Sequence, residues 1–317
     1  MQIIGREVVE KALSAATCLQ LSHDAFTLLS QGKVRQTLRS VIASEQGSLM
    51  GTMPACITDG PYAGFGLKTV KVDFSHRVQR TSHEGGILLY DATPQGDMAF
   101  VDAASVTELR TAAASALATD RLAPANASHL AILGTGVQAR KHALLMMAVR
   151  PVRHITIWGR NEAGASAFAA WCREQLRLPV TIAPTPSAAV QEAEIICTVT
   201  SAKEPFLYYR DLPARCHINA VGASAPGFQE MSPDVYAGVA LYVDSREAVW
   251  NASTCLIKAR EQGLLSPDCL ATEIGELLTE GDHNPHSAAP RTLFKSVGLA
   301  VQDLVFARAI VAWQTGQ

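Results

Sequence analysis

The feature that most constrains this chain is a glycine turn between an apolar run and a helical pattern. Residues 130–133 are apolar, Gly134 and Gly136 follow them, and Ala139 takes the third small position of a G-x-G-x-x-G/A pattern. In such a turn the first glycine permits the tight bend, the second lets the backbone approach a pyrophosphate, and the third residue allows close packing. Amides at the start of the helix then face the phosphates. The pattern therefore predicts a dinucleotide-binding turn.

Short strand patterns alternate with helix patterns along the same part of the chain. Strands are predicted at residues 129–133, 154–158, 180–182, 195–198, 217–221 and 241–244, and helices at 137–148, 162–176 and 187–192. A loop is predicted after residue 280. This alternation is typical of a doubly wound parallel sheet. Residues 123–294 are therefore predicted to form a Rossmann dinucleotide-binding domain of the α/β class.

The first third of the chain shows a different mixture of elements. Helical spacing covers residues 8–29, and short strand patterns cover 39–44, 66–72, 85–89 and 98–101, the last two flanking a loop suited to antiparallel pairing. An alanine-rich helix is predicted at 105–122 and a terminal helix at 297–313. We therefore expect an α+β domain formed by residues 1–122 and completed by 295–317.

Composition and charge argue against several kinds of partner. With 27 basic and 29 acidic residues the net charge is -2, so no nucleic-acid partner is predicted. No membrane-spanning run and no secretory signal stand out, so we expect a cytoplasmic protein. The seven cysteines are scattered, without a C-x-x-C pair or metal-ligand spacing. They are predicted to be reduced and mostly buried, and no metal site is predicted.

The end of the second strand indicates which dinucleotide is preferred. NAD enzymes carry Asp or Glu about 20 residues after the turn, where it binds the ribose hydroxyls. This chain has Trp158-Gly159-Arg160-Asn161 there instead. Arg160 is suited to stack on adenine and to pair with a 2'-phosphate. The sequence thus predicts NADPH, with NADH used at lower efficiency, and a solvated surface arginine is the alternative for Arg160.

Several motifs stand in the order of a known family. They are Arg39, Met53-Pro54-Ala55, Gly66-Leu67-Lys68, Ser82-His83 before residues 86–91, residues 110–115, 134–138, 218–224 and 294–298. Together they make the chain similar to the ornithine cyclodeaminase/mu-crystallin family from about residue 34 to the terminal helix. The resemblance implies a central Rossmann domain, a substrate and dimerisation domain built from the N-terminal part and the C-terminal helix, and a homodimer.

The resemblance also implies where the substrate binds. In the family, basic residues at the positions of Arg39, Lys68 and Arg110 gather around the carboxylate of an amino-acid-like substrate, and Ser224 stands at a further substrate position. A guanidinium binds a carboxylate bidentately and can hold the reacting carbon about 3–3.5 Å from nicotinamide C4. Taken singly, each of the three basic residues is more often an ordinary surface or helix-end charge than a ligand.

Ser224 also marks a departure from the cyclodeaminases, which carry an aspartate there as a base. We therefore predict a cyclic imino acid reductase, as in mu-crystallin and the bacterial ketimine reductases. It would convert Δ1-pyrroline-2-carboxylate to L-proline and Δ1-piperideine-2-carboxylate to L-pipecolate. Lys68 and His83 are candidate proton donors unless the imine arrives protonated. His83 is equally interpretable as a structural or cofactor-contacting residue.

Fold logic and the resemblance together extend the predicted cofactor site to the neighbouring strand ends and to the start of the last helix. The predicted contacts are Ser82, His83, Arg110, Gly134, Thr135, Gly136, Val137, Gln138, Arg160, Asn161, Thr200, Ser201, Val221, Gly222 and Ser296.

Three other functions stay open on the sequence alone. They are reductive amination of an open-chain 2-oxo acid, as in alanine dehydrogenase-like relatives, ornithine cyclodeamination, and non-enzymatic NADPH binding. Three cations in one predicted pocket argue for a working site, although a fold by itself does not settle function. The ring size of the preferred substrate is not indicated.

Overall fold

The structure is a computed structural model that describes residues 1–45, 48–72, 83–93, 95–266, 269, 271–279 and 289–316. The chain forms two compact units. The first comprises Met1–Arg110 and Leu299–Gln317, and the second comprises Thr111–Gly298. The division falls inside a long helix, whereas the sequence pattern had placed it at the end of that helix.

The first unit is built on a mixed sheet. Its elements are β1 (Gln2–Ile4), α1 (Arg6–Ala12), α2 (Ala15–Ser30), β2 (Val34–Gln36), β3 (Ser40–Ala43), β4 (Leu49–Ile57), β5 (Gly64–Val72), β6 (His83–Leu89), β7 (Ala99–Asp102) and the start of α3 (Ala103–Leu122). The strand order is β1-β7-β6-β5-β4-β2, with β3 also paired to β4. Only β1 and β7 pair in parallel; the other described pairs are antiparallel.

The second unit is built on a parallel sheet. After α3 come β8 (His129–Leu133), α4 (Val137–Val149), β9 (His154–Trp158), α5 (Glu162–Leu176), β10 (Val180–Ile182), α6 (Pro186–Val190), β11 (Ile195–Thr198), β12 (Cys216–Ala220), α7 (Pro233–Ala237), β13 (Ala240–Val243), α8 (Arg246–Ala252), α9 (Thr254–Glu261), β14 (Thr272–Glu273), α10 (Ile274–Thr279) and β15 (Arg291–Lys295). The strand order is β10-β9-β8-β11-β12-β15-β13-β14. Every described pair in it is parallel.

The terminal helix α11 (Ala300–Thr315) belongs to the first unit. It lies against β4, β5 and β6 and against α1 and α2. Most of its first twelve residues are buried, including the charged residue Asp303. A helix that is buried nearly all round forms the core of its unit rather than a surface layer. The C-terminal segment therefore completes the core that the first strands begin.

Polar side chains set where several helices begin. Ser14 accepts a hydrogen bond from the Thr17 N–H at the start of α2, and Asn161 accepts one from the Gly164 N–H at the start of α5. Such caps satisfy amides that have no partner within the helix. The cap at Asn161 fixes the start of α5 at Glu162, two residues after Arg160 and at the end of the turn that follows β9.

The predicted α/β fold class is confirmed, and so is the antiparallel pairing of β6 with β7. Five strands, β1, β2, β4, β14 and β15, were not predicted. β4 contains Pro54, which normally argues against a central strand. Here β2 pairs with residues 55–57 and β3 with residues 49–52, so Pro54 falls in the gap between them and needs no ladder donor on that side.

The predicted start of the terminal helix at residue 297 is wrong, because α11 begins at Ala300. The N–H groups of Val297 and Gly298 instead donate to Asp244, and Gly298 has a left-handed φ of 80°. The loop predicted after residue 280 lies largely outside the described residues. The cysteines are mostly buried, as predicted, since only Cys56 and Cys269 are partly exposed. In the described ranges, none of the helices has both the length and the apolar character needed to cross a membrane.

Candidate functional site

The predicted glycine turn joins β8 to α4. Gly134 has a φ of 129°, a backbone conformation that favours glycine, and its N–H donates to the Trp158 carbonyl at 2.9 Å. A Cβ on Gly134 would lie 2.8 Å from the carbonyl oxygen of Val199. The residue is therefore glycine for two independent reasons, its conformation and the close approach of the neighbouring loop.

Gly136 has a different requirement. It is the N-cap residue of α4, with a φ of -82°, and a Cβ built on it would meet no atom within 4 Å. The protein itself therefore does not require glycine here. The open space lies at the start of a 13-residue helix, where amide groups and the helix dipole favour a negatively charged group. A pyrophosphate fits this cradle, which a side chain would fill.

Thr135 connects this turn to the next one. Its methyl group lies only 2.5 Å from the position of a Cβ built on Gly159. Its hydroxyl oxygen lies 3.0 Å from a Cβ built on Gly164. Arg160 is exposed between these two glycines, and Asn161 caps α5 through its side chain. Thr135 is thus a packing residue of the turn, and Asn161 has a structural role in addition to the predicted cofactor contact.

Glu230 fixes the loops after β11 and β12, and the sequence reasoning missed it. The side chain is 1% exposed. Its Oε1 atom accepts from the N–H and hydroxyl of Thr200 at 2.6 and 2.8 Å. Its Oε2 atom accepts from the Thr198 hydroxyl at 2.8 Å and the Gly222 N–H at 2.9 Å. Burial raises the pKa of Glu230, while the charge of Lys295 and these hydrogen bonds oppose that rise.

Two further buried charges hold the chain segments next to this edge. Lys295 donates to the carbonyl oxygens of Ala220 and Ala223, at 3.3 and 2.6 Å. Asp244 accepts from the Ser296 hydroxyl at 3.1 Å, as well as from the two amides before α11. Ser296 is therefore buried in a bend four residues before α11, and the expectation that it opens the terminal helix is wrong.

The predicted cofactor residues are distributed over both units. The second unit brings Thr200, Ser201, Val221 and Gly222 to the carboxyl ends of β11 and β12, and Gly134–Gln138 to the adjacent turn. Their places at this edge follow from the parallel sheet, in which ligands bind beyond the strand ends. Arg110 and His83 belong to the first unit. Ser82 lies outside the described residues.

The first unit brings two predicted cations to one carboxylate. Lys68, on β5, donates from Nζ to Asp303 Oδ1 at 2.9 Å, and Arg110, on α3, donates from Nε to the same oxygen at 3.1 Å. The three residues are 3%, 4% and 0% exposed. Asp303 Oδ2 is buried and accepts no hydrogen bond from the described residues. Two buried cations thus share a single oxygen of one anion.

The surroundings of Lys68 change its protonation. Burial is the main cause that lowers the pKa of Lys68, to about 7, and the charges of Arg110 and Arg39 act in the same direction. Asp303 opposes them through its charge and its hydrogen bond. Lys68 therefore loses its proton far more readily near neutral pH than an ordinary lysine does.

The remaining predicted residues have less complete surroundings. Arg39 follows β2, is partly buried, and is near enough to Lys68 to affect its pKa. His83 begins β6, where its backbone pairs with Val72, and its side chain lies outside the described part. Ser224 is partly exposed in the second unit, one residue beyond Ala223.

Sequence reasoning missed Asp303 and Glu230, and it also missed Lys295 and Asp244. Asp303 offered a signal, because it is the one charged residue of the largely apolar stretch 299–307, and charged residues are seldom fully buried unless paired. Glu230 offered no signal in the sequence. Its partners lie at the ends of β11 and β12 and in the loops that follow, and although both strands were predicted, the course of those loops was not.

Solved structures and curated proteins resemble this chain along nearly all of its length. The structure of Thermococcus litoralis Δ1-pyrroline-2-carboxylate reductase in complex with NADH and L-proline matches with a TM-score of 0.91 and 27% identity, covering 100% of this chain and 98% of that one. The ketimine reductase mu-crystallin of Mus musculus is 34% identical over 90% of this chain and 88% of its own length. A Δ1-pyrroline-2-carboxylate reductase of Bacillus cereus is 32% identical over 84% and 81%.

The fold and the glycine turn define a protein of the dinucleotide-binding α/β class, in which the first unit carries a buried cluster of cations. The model of the ornithine cyclodeaminase/mu-crystallin family matches residues 2–315, so the chain belongs to that family. The family predicted from the sequence motifs is thereby confirmed.

Replacement by alanine is expected to have different effects at the two glycines of the turn. Gly136→Ala should leave the thermal unfolding temperature within about 2 °C of wild type, yet weaken binding of a nicotinamide dinucleotide at least about tenfold, because the added methyl group occupies the open cradle. Gly134→Ala should weaken binding and also lower the unfolding temperature, because it strains the backbone. Calorimetric titration and thermal scans measure both; unchanged affinity in Gly136→Ala would contradict the cradle.

Proposed function

We propose that this protein uses NADPH to reduce the C=N bond of cyclic 2-imino acids, Δ1-pyrroline-2-carboxylate to L-proline and Δ1-piperideine-2-carboxylate to L-pipecolate. The observation that carries the proposal is the buried cluster in which Lys68 and Arg110 share one oxygen of Asp303. The relatives at 34% and 32% identity are named for ketimine and pyrroline-2-carboxylate reduction, and the Thermococcus structure contains NADH and L-proline.

The cluster is suited to bind a carboxylate. Two cations and one anion leave a positive charge in a nearly inaccessible place, and a buried charge without a partner is costly. A substrate carboxylate supplies the missing negative charge. Arg110 donates to Asp303 from Nε, so this hydrogen bond does not use the two terminal nitrogens of the guanidinium. Those nitrogens suit an end-on pair with a second carboxylate. Arg39 adds a third cation to the same surroundings.

Reduction of the imine needs a hydride at C2 and a proton at the ring nitrogen. When bound, the reduced dinucleotide supplies the hydride and is oxidised. Lys68 supplies the proton from Nζ and becomes a neutral amine, while the C=N bond becomes CH–NH. Because burial brings the pKa of Lys68 to about 7, loss of this proton is far easier than for an ordinary lysine. Arg110 holds the carboxylate with its guanidinium.

Ser224 supports reduction rather than cyclodeamination. A serine hydroxyl is a much weaker base than the carboxylate it replaces, so this position provides no strong base to activate water or an amine. Imine reduction requires no such base. The substrate and product therefore match the residues present, and the reductase names of the relatives agree with them.

Several features of the second unit support NADPH as the preferred dinucleotide. Gly134, Gly136 and the start of α4 form the pyrophosphate cradle. The turn after β9 presents exposed Arg160 where NAD enzymes carry a carboxylate, so a 2'-phosphate meets a cation and no like charge at that point. NADH would bind with lower efficiency because it lacks this group. We assign dinucleotide binding to the second unit and carboxylate binding to the first.

An apolar row across the first sheet supports a homodimer. Pro54, Leu67, Leu88, Phe100 and Ile3 are register partners on five successive strands. They alternate with buried residues, so they lie on the face opposite Lys68, and none of them is buried. Phe65 and Met50 on the same face are 63% and 42% exposed. A second copy of the chain that packs through the same face would bury the apolar surface of both copies.

Lys68→Met should lower kcat/KM for Δ1-piperideine-2-carboxylate at least about 100-fold at pH 7 and leave the Kd of NADPH within about twofold. Raising the pH removes the proton from Lys68, so wild-type kcat/KM should fall about tenfold per pH unit above pH 7. The variant, which retains only the titration of the substrate itself, should not show this additional fall. A flat wild-type profile between pH 7 and 9 is the result that would exclude Lys68 as the donor.

Arg160→Ala should raise the KM for NADPH about tenfold or more and change the KM for NADH less than about twofold, because only NADPH carries the 2'-phosphate. Arg153→Ala, which removes an exposed arginine from the opposite end of β9, is the matched control. Steady-state kinetics with both dinucleotides decide the point. Equal effects on NADPH and NADH would show that Arg160 does not read the phosphate.

Phe65→Lys should convert a dimer to a monomer, because it places a charge in the apolar face. The control is Leu144→Lys, a similar change at a 42% exposed position on α4, which should leave the mass unchanged. Light scattering with size-exclusion chromatography gives the masses. A wild-type monomer, or a Phe65→Lys dimer at micromolar concentration, would contradict the assignment of this face.

A further inference from the structure

We infer that Asp303 is a positioning residue of the proposed reduction: through Oδ1 it fixes the spacing of Lys68 and Arg110 and supplies the negative charge that both cations face. This inference rests on the proposed function, since it concerns the same site. Asp303 acts on the substrate only through these two cations.

The geometry gives Asp303 both roles at once. Lys68 Nζ and Arg110 Nε approach the same oxygen, at 2.9 and 3.1 Å, from a strand and from a helix that are distant in sequence. One acceptor for two donors sets how far apart the donors lie. Without it, two buried like charges on β5 and α3 would repel each other in surroundings with little water to screen them.

Few other groups can replace this charge. Among the described residues, the charged groups that act on Lys68 are Asp303 on α11, Arg110 on α3 and Arg39 after β2. On β4 and β6 its register partners are Met53 and Ile87, which carry no charge. Of these groups, Asp303 alone favours the ammonium form, and both arginines oppose it.

The second carboxylate oxygen of Asp303 makes Lys68 more dependent on this residue for its charge. Oδ2 accepts nothing from the described residues, so no third donor there shares the charge of the carboxylate. The negative charge of Asp303 therefore acts almost entirely on Lys68 and Arg110, through an oxygen that is fully buried. Neutralising Asp303 should alter the titration of Lys68 more than it alters the shape of the cluster.

The test is Asp303→Asn, an isosteric change that removes the charge. The alkaline limb of kcat/KM for Δ1-piperideine-2-carboxylate should move at least about one unit to lower pH, so the loss relative to wild type is about tenfold or more at pH 8 and shrinks towards pH 6. The Kd of NADPH should stay within about twofold. Asp24→Asn, the same change on α2 of the same unit, should leave the profile in place. A loss in Asp303→Asn that is equal at every pH, or no loss, would overturn the inference.

Asp303→Glu guards against a variant that does not fold. It retains the carboxylate, so its alkaline limb should stay within about half a unit of wild type even if KM rises. A shift as large as that expected for Asp303→Asn would count against the inference. The Glu variant therefore separates the loss of charge from a change of shape.

Calorimetric binding of pyrrole-2-carboxylate provides a readout that does not need turnover, because its ring nitrogen does not titrate in this range. Its affinity should weaken above about pH 7 in wild type and from a lower pH in Asp303→Asn. If wild type binds the probe in this way but oxidises no NADPH with either imine, the proposed function fails and the role of Asp303 stands. If the two pH midpoints coincide, the role of Asp303 fails by itself.

Discussion

Asp303 Oδ1 accepts hydrogen bonds from Lys68 and Arg110 in a place from which water is nearly excluded. Removing one partner from a buried charge pair typically costs about 3–5 kcal/mol, because the remaining charge is left uncompensated. The pairing therefore constrains β5, α3 and α11 together. Since Asp303 lies on the last helix, the two cations cannot be buried until the C-terminal segment has packed onto the first sheet. The chain end is part of the site for this physical reason.

The second unit uses buried polar side chains for another purpose. Glu230 and Lys295 bind peptide groups of the loops after β11 and β12, and Asp244 binds those before α11. These contacts fix the backbone at the carboxyl edge of the sheet. Dinucleotide recognition depends largely on backbone amides and on small residues that allow close approach, so the position of the loops matters more than most of their side chains.

Local signals predicted the second unit well because each buried parallel strand is a nearly continuous apolar run, and β8 and β9 have the predicted bounds. β15 escaped because Arg291 and Lys295 stand at its ends, and Lys295 is buried only through carbonyl groups far away in the sequence. Asp303 was a recognisable anomaly, yet its partner Lys68 lies 235 residues earlier. Such pairings arise from tertiary packing, which residue patterns do not contain.

In the proposed reaction, the two cations of the cluster have requirements that one residue type cannot meet. The group that holds the carboxylate must stay charged from binding to release, which a guanidinium does at any physiological pH. The group that gives the proton must lose its charge during each turnover. Burial makes that loss accessible for Lys68 by lowering its pKa to about 7, and Asp303 prevents a further fall that would leave no proton to give. The arrangement works only while these opposing influences remain nearly balanced, so a site with lysine and arginine exchanged would bind the acid group but not complete the reduction.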